Sequence, residues 1–308
     1  MAHGRVFAIS DLHVDYKENL QFVNSWSSTD YQRDVLLVAG DVTDDLVLLE
    51  HVLKSFVKKF RDVFYVPGNH ELWIRSKASG LDSISKFHKI LRICDQINVQ
   101  YKPKLIDTAS GPVNIVPLFS WYSKPEDDPE DSLYRKPPPD VKENVGYGES
   151  IWMDNHLCVW SKLHHGETPS MYFLALNEPN IRNYGGNVIS FSHFLPRWDL
   201  IPMTSDEEME VKSERNRQGL EAMPQRQGGV AGFNFARYAG SKYLDKQIRK
   251  IGATTHIYGH QHRNRDRIID TIRYVSHCLG NPSEQKNGWV WGVSKWNGPK
   301  QVWPIESI

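Results

Sequence analysis

The sequence lacks the long apolar stretch that a membrane-spanning helix requires. No apolar run approaches the roughly 20 residues that cross a bilayer, and the opening residues MAHGRVFAISD pass almost directly into a strand-like run instead of a signal peptide. Cysteine is also scarce, with three widely spaced residues (Cys94, Cys158 and Cys278) and no Cys-x-x-Cys pair. We therefore expect free thiols and a cytoplasmic location, and neither a disulfide framework nor a thiolate zinc site.

Excess charge of either sign is missing as well. The 37 Lys and Arg residues are offset by 37 Asp and Glu residues, so the formal net charge is +0. A neutral chain has no global field that would hold nucleic acid or an anionic membrane, and we expect neither partner. What is present is ordinary: 308 residues, 40% hydrophobic and 24% charged, which is typical of a globular protein with a substantial core.

Short apolar runs that end in Gly, Pro or polar residues recur along the chain and predict buried strands. These runs occupy residues 5–10, 34–40, 62–68, 113–120, 187–192, 255–259 and 273–280. Helical patterns cover residues 44–60, 81–94 and 240–251. Strand alternating with helix in the first hundred residues predicts βαβ units, and hence a largely parallel sheet covered by helices.

Two segments interrupt this alternation. Residues 121–150 are charged and proline-rich, and residues 196–236 form a second polar excursion. Both are too long for an ordinary connection inside a compact domain. With their flanks, at about 121–185 and 196–238, we predict that they are insertions acting as lid or specificity segments within a single domain over 1–308.

Residues that can bind metal follow five of the predicted strands. They are Asp11 and His13, Asp41, Asn69 and His70, His193, and His260 and His262. The carboxyl ends of neighbouring parallel strands meet at one crevice, so these side chains are expected to share one pocket. Carboxylate, amide and imidazole ligands without thiolate suit Mn²⁺, Fe or Zn²⁺. The set is too large for one open metal site and predicts two cations, roughly 3.5–4 Å apart and bridged by a carboxylate.

In chain order the motifs read SDLHVD, GDVTDD, GNHE, SHF and GHQH, and this series resembles the calcineurin-like metallophosphoesterase superfamily. The resemblance extends from Asp11 to His262, most of the chain. It implies an α/β (α+β) fold, a four-layer αββα sandwich in which two mixed β-sheets are flanked by helices. It also implies hydrolysis of phosphate esters by a dinuclear metal centre, through a hydroxide that bridges the metals.

The resemblance also implies a role for each position. The first metal would be held by Asp11, His13 and His262. Asp41 would bridge both metals, and the second metal would be held by Asn69, His193 and His260. His70 is not a ligand in this scheme: it lies beside the phosphate and stabilises the transition state or protonates the leaving oxygen. Asp15 and Glu71 are expected to orient histidines from behind.

Two assignments depend on position alone. His193 competes with the four histidines His156, His164, His165 and His277, and is preferred because it directly follows the run VISFS. Arg197, in SHFLPRW, is the arginine expected to reach a substrate phosphate with its planar guanidinium.

The motifs also narrow the substrate class. GDVTDD and VPGNHE lack the arginines of the protein serine/threonine phosphatase branch, and GDVTDDL lacks the tyrosine ligand of purple acid phosphatases. We therefore predict a small organic phosphate, with phosphomonoesters ahead of cyclic nucleotides, other small diesters and nucleotide pyrophosphates. A catalytically silent binding scaffold is the rival from another class, and the complete motif series argues against it.

Overall fold

The computed structural model describes residues 4–76, 80–220, 232–290 and 298–304. Its strands are β1 (Val6–Ile9), β2 (Val35–Ala39), β3 (Asp62–Val66), β4 (Lys104–Thr108), β5 (Gly111–Pro117), β6 (Asn187–Phe191), β7 (Thr255–Tyr258), β8 (Arg265–Ile269), β9 (Ile272–Ser276) and β10 (Lys300–Trp303). Its helices are α1 (Lys17–Asn24), α2 (Leu46–Lys59), α3 (Ser83–Ile97), α4 (Val145–Ile151), α5 (Asp154–Leu157), α6 (Pro169–Asn177), α7 (Ser205–Arg217), α8 (Lys242–Lys250) and α9 (Pro282–Lys286). Every predicted apolar run contains or overlaps an observed strand.

The strands form two mixed sheets. The first has the order β10-β1-β2-β3 and the second the order β4-β5-β6-β7-β9-β8. The central strands of each sheet are parallel, as the βαβ alternation predicted. The edge strands β4, β8 and β10 pair antiparallel, and the sequence did not predict them. Strands β4 and β8 leave several side chains exposed, so they carry too few apolar residues to resemble a buried strand.

Apolar side chains fill three layers between and around the sheets. The faces of the two sheets meet through residues such as Val6, Leu37 and Ile257. On the far side of the first sheet, Ile9 packs in the core that contains α2 and α3, and on the far side of the second sheet Tyr258 packs in the core that contains α8. This arrangement confirms the four-layer αββα sandwich.

The two predicted insertions are partly structured. Residues 121–185 contain α4 and α5, and they end with α6, whose Phe173 and Leu174 are buried in the cores. Residues 196–238 contain α7, whose Thr204 forms a capping box with Glu207. Part of this second segment, residues 221–231, lies outside the described residues.

Two features of the structure concern membrane-spanning helices and the state of the cysteines. Within the described ranges, no helix has both the length and the apolar character needed to cross a lipid bilayer. The three cysteines are free thiols, with Cys94 and Cys278 buried and Cys158 half-buried. The cytoplasmic location expected from the sequence stays a prediction.

Gly240 marks a close backbone contact that holds the loop after β6 against the turn before α8. Leu195 donates its N–H to Ala239 O at 3.0 Å, and Ser241 donates to Leu195 O at 3.1 Å. A Cβ on Gly240 would overlap the carbonyl group of Leu195. The loop that carries His193 can therefore pair with the segment before α8 only if residue 240 lacks a side chain.

We expect Gly240→Ala to lower the free energy of unfolding by about 1–3 kcal/mol, because the added methyl group overpacks a buried backbone contact. Urea denaturation followed by circular dichroism measures the change. Gly146→Ala in α4 is the matched control, since its Cβ meets only Asn144 Oδ1, at 3.8 Å. The control is expected to stabilise the helix by up to about 1 kcal/mol. Equal stability of the two variants would contradict the proposed contact.

Candidate active site

The metal-binding side chains predicted from the sequence lie together at the carboxyl ends of β1, β2, β3, β6 and β7. The first three strands belong to one sheet and the last two to the other, so the site spans both sheets. These side chains form two groups, and within each group the potential ligand atoms all lie within 4.8 Å of one another. The first group is Asp11, His13, Asp41 and His262, and the second is Asp41, His193 and His260. Asp41 is common to both groups, which is the position required of a bridging carboxylate.

Asn69 adds an amide oxygen to the second group. Its Oδ1 lies 3.1 Å from His193 Nε2, and its side chain is buried. The competing histidines of the sequence do not join either group: His156, for example, contacts the carbonyl of Ser150 at 2.9 Å. The structure therefore brings together every predicted ligand, and it places His193 among them.

Five of these ligands have a left-handed backbone. The φ angles are 51° at Asp11, 42° at His13, 56° at Asp41, 72° at His260 and 52° at His262. Non-glycine residues rarely adopt this conformation, which costs of order 1–3 kcal/mol each and is concentrated at functional sites. The strain turns each side chain sharply out of its strand and into the common crevice.

Two glycines allow the turns to approach one another. Gly40 has φ +79°, and a Cβ there would lie 2.6 Å from His193 Nδ1 and 2.7 Å from the backbone N of Gly68. A Cβ on Gly68 would overlap the carboxylate of Asp41. Each position therefore needs glycine so that the ligands can pack at this distance.

Backbone carbonyls fix the orientation of two imidazoles. His193 Nδ1 donates to Ala39 O at 2.9 Å, and His260 Nε2 donates to Tyr238 O at 2.9 Å. When the outer nitrogen carries the proton, the inner nitrogen presents a lone pair to the cluster. This is the tautomer that a metal ligand requires.

The two buried carboxylates are balanced by imidazoles. Burial alone would raise the pKa of Asp11, but His262, 3.3 Å away, lowers it to about 2. Burial acts the same way on Asp41, and His193 at 3.4 Å holds the Asp41 pKa well below its ordinary value. In return, the Asp41 carboxylate overcomes the effect of burial on His193 and raises the His193 pKa to about 9. Bound cations would balance the same charges, so the donor set fits two transition metal ions.

His70 lies beside the bridging carboxylate and begins the short helix His70–Leu72. Its backbone N–H donates to Asp41 Oδ1 at 3.0 Å, and its Nε2 lies 3.7 Å from Asp41 Oδ2. The ring lies over Trp73 with a centroid distance of 3.6 Å and a tilt of 31°. The side chain keeps 26% of its surface exposed, so it faces the open side of the site.

The site forms the floor of an open cavity of about 760 Å³. Asp41, Asn69 and His70 are among the residues at this floor. The walls come from the two predicted insertions and contain aromatic and cationic side chains, including Arg135, Lys136, Lys142, Trp152, Trp198 and Phe233. A ligand can therefore reach the floor from solvent.

Comparison with known proteins agrees with this geometry. A family model of calcineurin-like phosphoesterases matches residues 4–196, more than half of the chain. The chain belongs to the calcineurin-like phosphoesterase family. Members of this family are metal-dependent hydrolases of phosphoric esters, which is the activity that the ligand set of this phosphoesterase suggests.

PptH of Mycobacterium tuberculosis resembles this phosphoesterase both in sequence and in structure. Over 127 residues the chain is 32% identical to the [acyl-carrier-protein] phosphodiesterase PptH of Mycobacterium tuberculosis (strain ATCC 25618 / H37Rv), covering 39% of the chain and 38% of that protein. The chain thus matches less than half of the length of this curated relative. The crystal structure of phosphopantetheinyl hydrolase (PptH) from M. tuberculosis superposes with a TM-score of 0.69 at 20% identity, covering 100% of this chain and 98% of that one. At this identity the likeness shows the fold alone.

The phosphoesterase site uses Asp15 and Glu71 differently from the sequence-based prediction. Glu71 is buried and accepts three backbone N–H bonds, from Val42 at 2.6 Å, Gly68 at 2.8 Å and Asp41 at 3.0 Å. Asp15 accepts from the hydroxyl of a threonine in the turn after β2 at 2.5 Å. Both carboxylates hold the backbone turns that carry ligands, and these contacts do not orient an imidazole as we had predicted.

Two other carboxylates, which the sequence did not single out, contact predicted ligands directly: Glu284 an imidazole and Asp154 an amide. Glu284 accepts from His262 Nδ1 at 2.6 Å. It belongs to a capping box with Asn281 at the start of α9, so the pattern NPSE indicated a helix start and not a site residue. Asp154 accepts from the amide of Asn69 at 2.9 Å. It lies 85 residues away in the chain, and no local signal connects the two.

Arg197 does not reach the phosphoesterase site. Its Nη1 donates to Asp270 at 2.8 Å and its Nη2 to Asp199 at 2.7 Å. It lines a separate cavity of about 320 Å³ together with Trp198 and Asp245. Neighbouring aspartates occupy both terminal nitrogens, so the predicted contact with a substrate phosphate is corrected: Arg197 is a structural ion-pair residue.

We expect Glu71→Gln to lower the free energy of unfolding by about 1–3 kcal/mol. Burial and the Asp41 carboxylate raise the Glu71 pKa to about 7 against the backbone N–H bonds, so at pH 8 the side chain accepts hydrogen bonds only. Glutamine would turn an NH₂ group toward a backbone N–H and leave that donor unsatisfied. Urea denaturation at pH 8 tests this.

Glu50→Gln is the control for this substitution. Glu50 accepts from Lys54 at 2.6 Å on the surface of α2, and such exposed pairs contribute about 0–1 kcal/mol. If Glu71→Gln is as stable as this control, the buried carboxylate does not hold the turns.

Proposed function

We propose that this protein is a dinuclear-metal phosphoesterase that hydrolyses a small organic phosphate, with phosphomonoesters ahead of diesters. One observation carries the proposal: Asp41 belongs to both ligand groups, and the paired site forms the floor of an open cavity. The first position would be held by Asp11, His13 and His262, bridged by Asp41. The second would be held by Asn69, His193 and His260. Mn²⁺, Fe and Zn²⁺ suit these donors.

Metal ions bound there would supply positive charge for the phosphoryl oxygens and lower the pKa of a water molecule. The remaining contribution comes from the chain. Two backbone carbonyls accept hydrogen bonds from the outer ring nitrogens of His193 and His260, so the inner nitrogen of each ring faces the cluster. Glu284 orients the ring of His262 in the same way. These fixed groups need no reorganisation when charge develops on the phosphate.

His70 is the residue that we assign to the substrate. Burial lowers its pKa despite the neighbouring Asp41 carboxylate, so the imidazole is neutral and has one N–H to donate. Its exposed edge lies at the cavity floor, where the N–H can donate to a phosphoryl oxygen or to the leaving oxygen. Either contact stabilises charge that is greatest in the transition state.

We expect His70→Ala to retain the metal content of the wild type and to lower kcat by roughly 10²–10⁴-fold. Hydrolysis of p-nitrophenyl phosphate and of bis-p-nitrophenyl phosphate with added Mn²⁺ measures turnover, and the monoester is expected to be the better substrate. His88→Ala is the control, because His88 lies on α3 and contacts Tyr172 OH at 3.1 Å. Undiminished turnover in His70→Ala would refute its role, and no turnover by metal-loaded wild type would refute the proposed function.

A cationic rim favours a second candidate function, cleavage of a phosphodiester attached to an acidic protein. Arg135, Lys136 and Lys142 are exposed at the cavity, and the Arg135 guanidinium lies 3.6 Å from the centroid of the Trp198 ring. Although the whole chain is neutral, these charges are concentrated where a large substrate would enter. The name of the curated relative, an acyl-carrier-protein phosphodiesterase, supports a phosphodiester attached to a protein.

We expect the double variant Lys136→Glu/Lys142→Glu to lower kcat/KM for phosphopantetheinylated acyl-carrier protein by roughly tenfold or more, since complementary charge speeds encounter by 10–10³-fold. Release of the phosphopantetheine group is followed by mass spectrometry. The kcat for p-nitrophenyl phosphate is expected to stay within about twofold, because encounter with the rim does not limit turnover at saturating substrate.

The control is Lys54→Glu/Lys58→Glu, which reverses two exposed charges on α2. An equal loss in both double variants would show that only net charge matters. Wild-type protein that hydrolyses the nitrophenyl ester but leaves the carrier protein intact would eliminate the second candidate and leave the first standing.

A further inference from the structure

Asp154 lies behind the metal ligands, in the first predicted insertion. It begins α5 and is 3% exposed. Its Oδ1 accepts from Asn69 Nδ2 at 2.9 Å and from Trp73 Nε1 at 2.7 Å, and its Oδ2 accepts from Trp152 Nε1 at 3.0 Å. One buried carboxylate therefore receives three side-chain N–H groups, two from the segment after β3 and one from the residue two positions before it.

The bond to Asn69 decides which end of that amide faces the metal ligands. An ionised carboxylate only accepts hydrogen bonds, so the NH₂ group of Asn69 must face Asp154. The Asn69 oxygen then faces the ligand cluster, 3.1 Å from His193 Nε2. A cation binds the amide oxygen and not the NH₂ group, so the Asp154 contact selects the orientation that can hold a metal.

The two tryptophan bonds extend the same support. Trp73 carries the ring of His70 at a centroid distance of 3.6 Å. Trp152 stacks on Tyr238 with a centroid distance of 4.6 Å and an angle of 18°, and the carbonyl of Tyr238 accepts from His260. Asp154 is thus connected to His70 and to the ligands of the second group.

We propose that Asp154 is a positioning residue that orients both the ligands of the second metal group and His70. This inference rests on the proposed function. The first group has its own support, because Glu284 accepts from His262 Nδ1 at 2.6 Å. Each metal position therefore depends on a different carboxylate behind it. The insertion that carries Asp154 is part of the site and not only a cover over it.

Metal content tests this independently of activity. In Asp154→Asn the three N–H groups compete for a single oxygen, and Asn69 is free to turn its NH₂ group toward the cluster. We expect the affinity for one of the two metals to fall 10–100-fold, the typical effect of losing such a partner. After dialysis against limiting Mn²⁺, elemental analysis of the full chain should find one metal per chain where the wild type holds two.

Glu284→Gln makes the test specific for each position. This variant should also retain one metal, and Asp154→Asn/Glu284→Gln should retain none. A double variant that still holds one metal would show that both carboxylates serve the same position. Asp154→Asn with both metals at wild-type affinity would overturn the proposal outright. Trp152→Phe removes the bonds from Trp152 Nε1 to Asp154 Oδ2 and to the Tyr122 hydroxyl but leaves Asn69 bound to Oδ1, so it should keep both metals.

Trp73→Phe separates the His70 branch and serves if Asp154→Asn does not fold. It removes the Trp73 bond but leaves Asn69 bound to Asp154. We expect two metals per chain and a kcat lowered about tenfold with little change in KM. Unchanged kcat would overturn the His70 branch, and loss of a metal would overturn the separation of the branches. Wild type that binds two metals yet hydrolyses no phosphate ester would refute the proposed function while leaving the metal-content test of Asp154 intact.

Discussion

The structure depends on placing two carboxylates, Asp11 and Asp41, in a buried crevice where their charges must be balanced. Burying an unpaired carboxylate costs several kcal/mol, so such groups persist only with close positive or polar partners. Here imidazoles surround them, with His262 at 3.3 Å from Asp11 and His193 at 3.4 Å from Asp41. The same arrangement that satisfies the carboxylates in this way is a set of donors that two cations can use. The same placement of these residues is therefore required both to balance the buried charges and to bind cations.

Meeting this demand requires backbone that regular secondary structure does not provide. Five of the predicted ligands have positive φ angles, and Gly40 and Gly68 permit contacts that any Cβ would block. The cost is offset by bonds within the turns, among them the N–H groups of Asp41, Val42 and Gly68 that Glu71 accepts. The parallel strands on either side are buried and regular, so the strain is confined to the strand ends, where the side chains must leave the sheets.

The two predicted insertions surround the cluster of predicted ligands with residues from outside the strand ends. They supply most of the cavity wall, with aromatic side chains such as Trp152 and Phe233 and cations such as Lys136. The first insertion also contacts the ligands from behind, through Asp154. Residues that line the cavity and a residue that contacts a predicted metal ligand therefore lie in the same segment, and a change in one is expected to affect the other.

Much of the architecture and the candidate ligand set could be predicted from the sequence by itself, because both produce patterns within short stretches of the chain. Buried strands are short apolar runs, and each ligand directly follows one of them, so the parallel strand ends predict a shared crevice. Only the tertiary structure decided which carboxylates stand behind the ligands. Glu71, Glu284 and Asp154 differ in the partners that the fold brings to them and not in any local pattern, and Arg197 is engaged by aspartates from distant segments. Edge strands β4, β8 and β10 were missed for a different reason: few of their side chains are buried, so they leave little trace in hydrophobic periodicity.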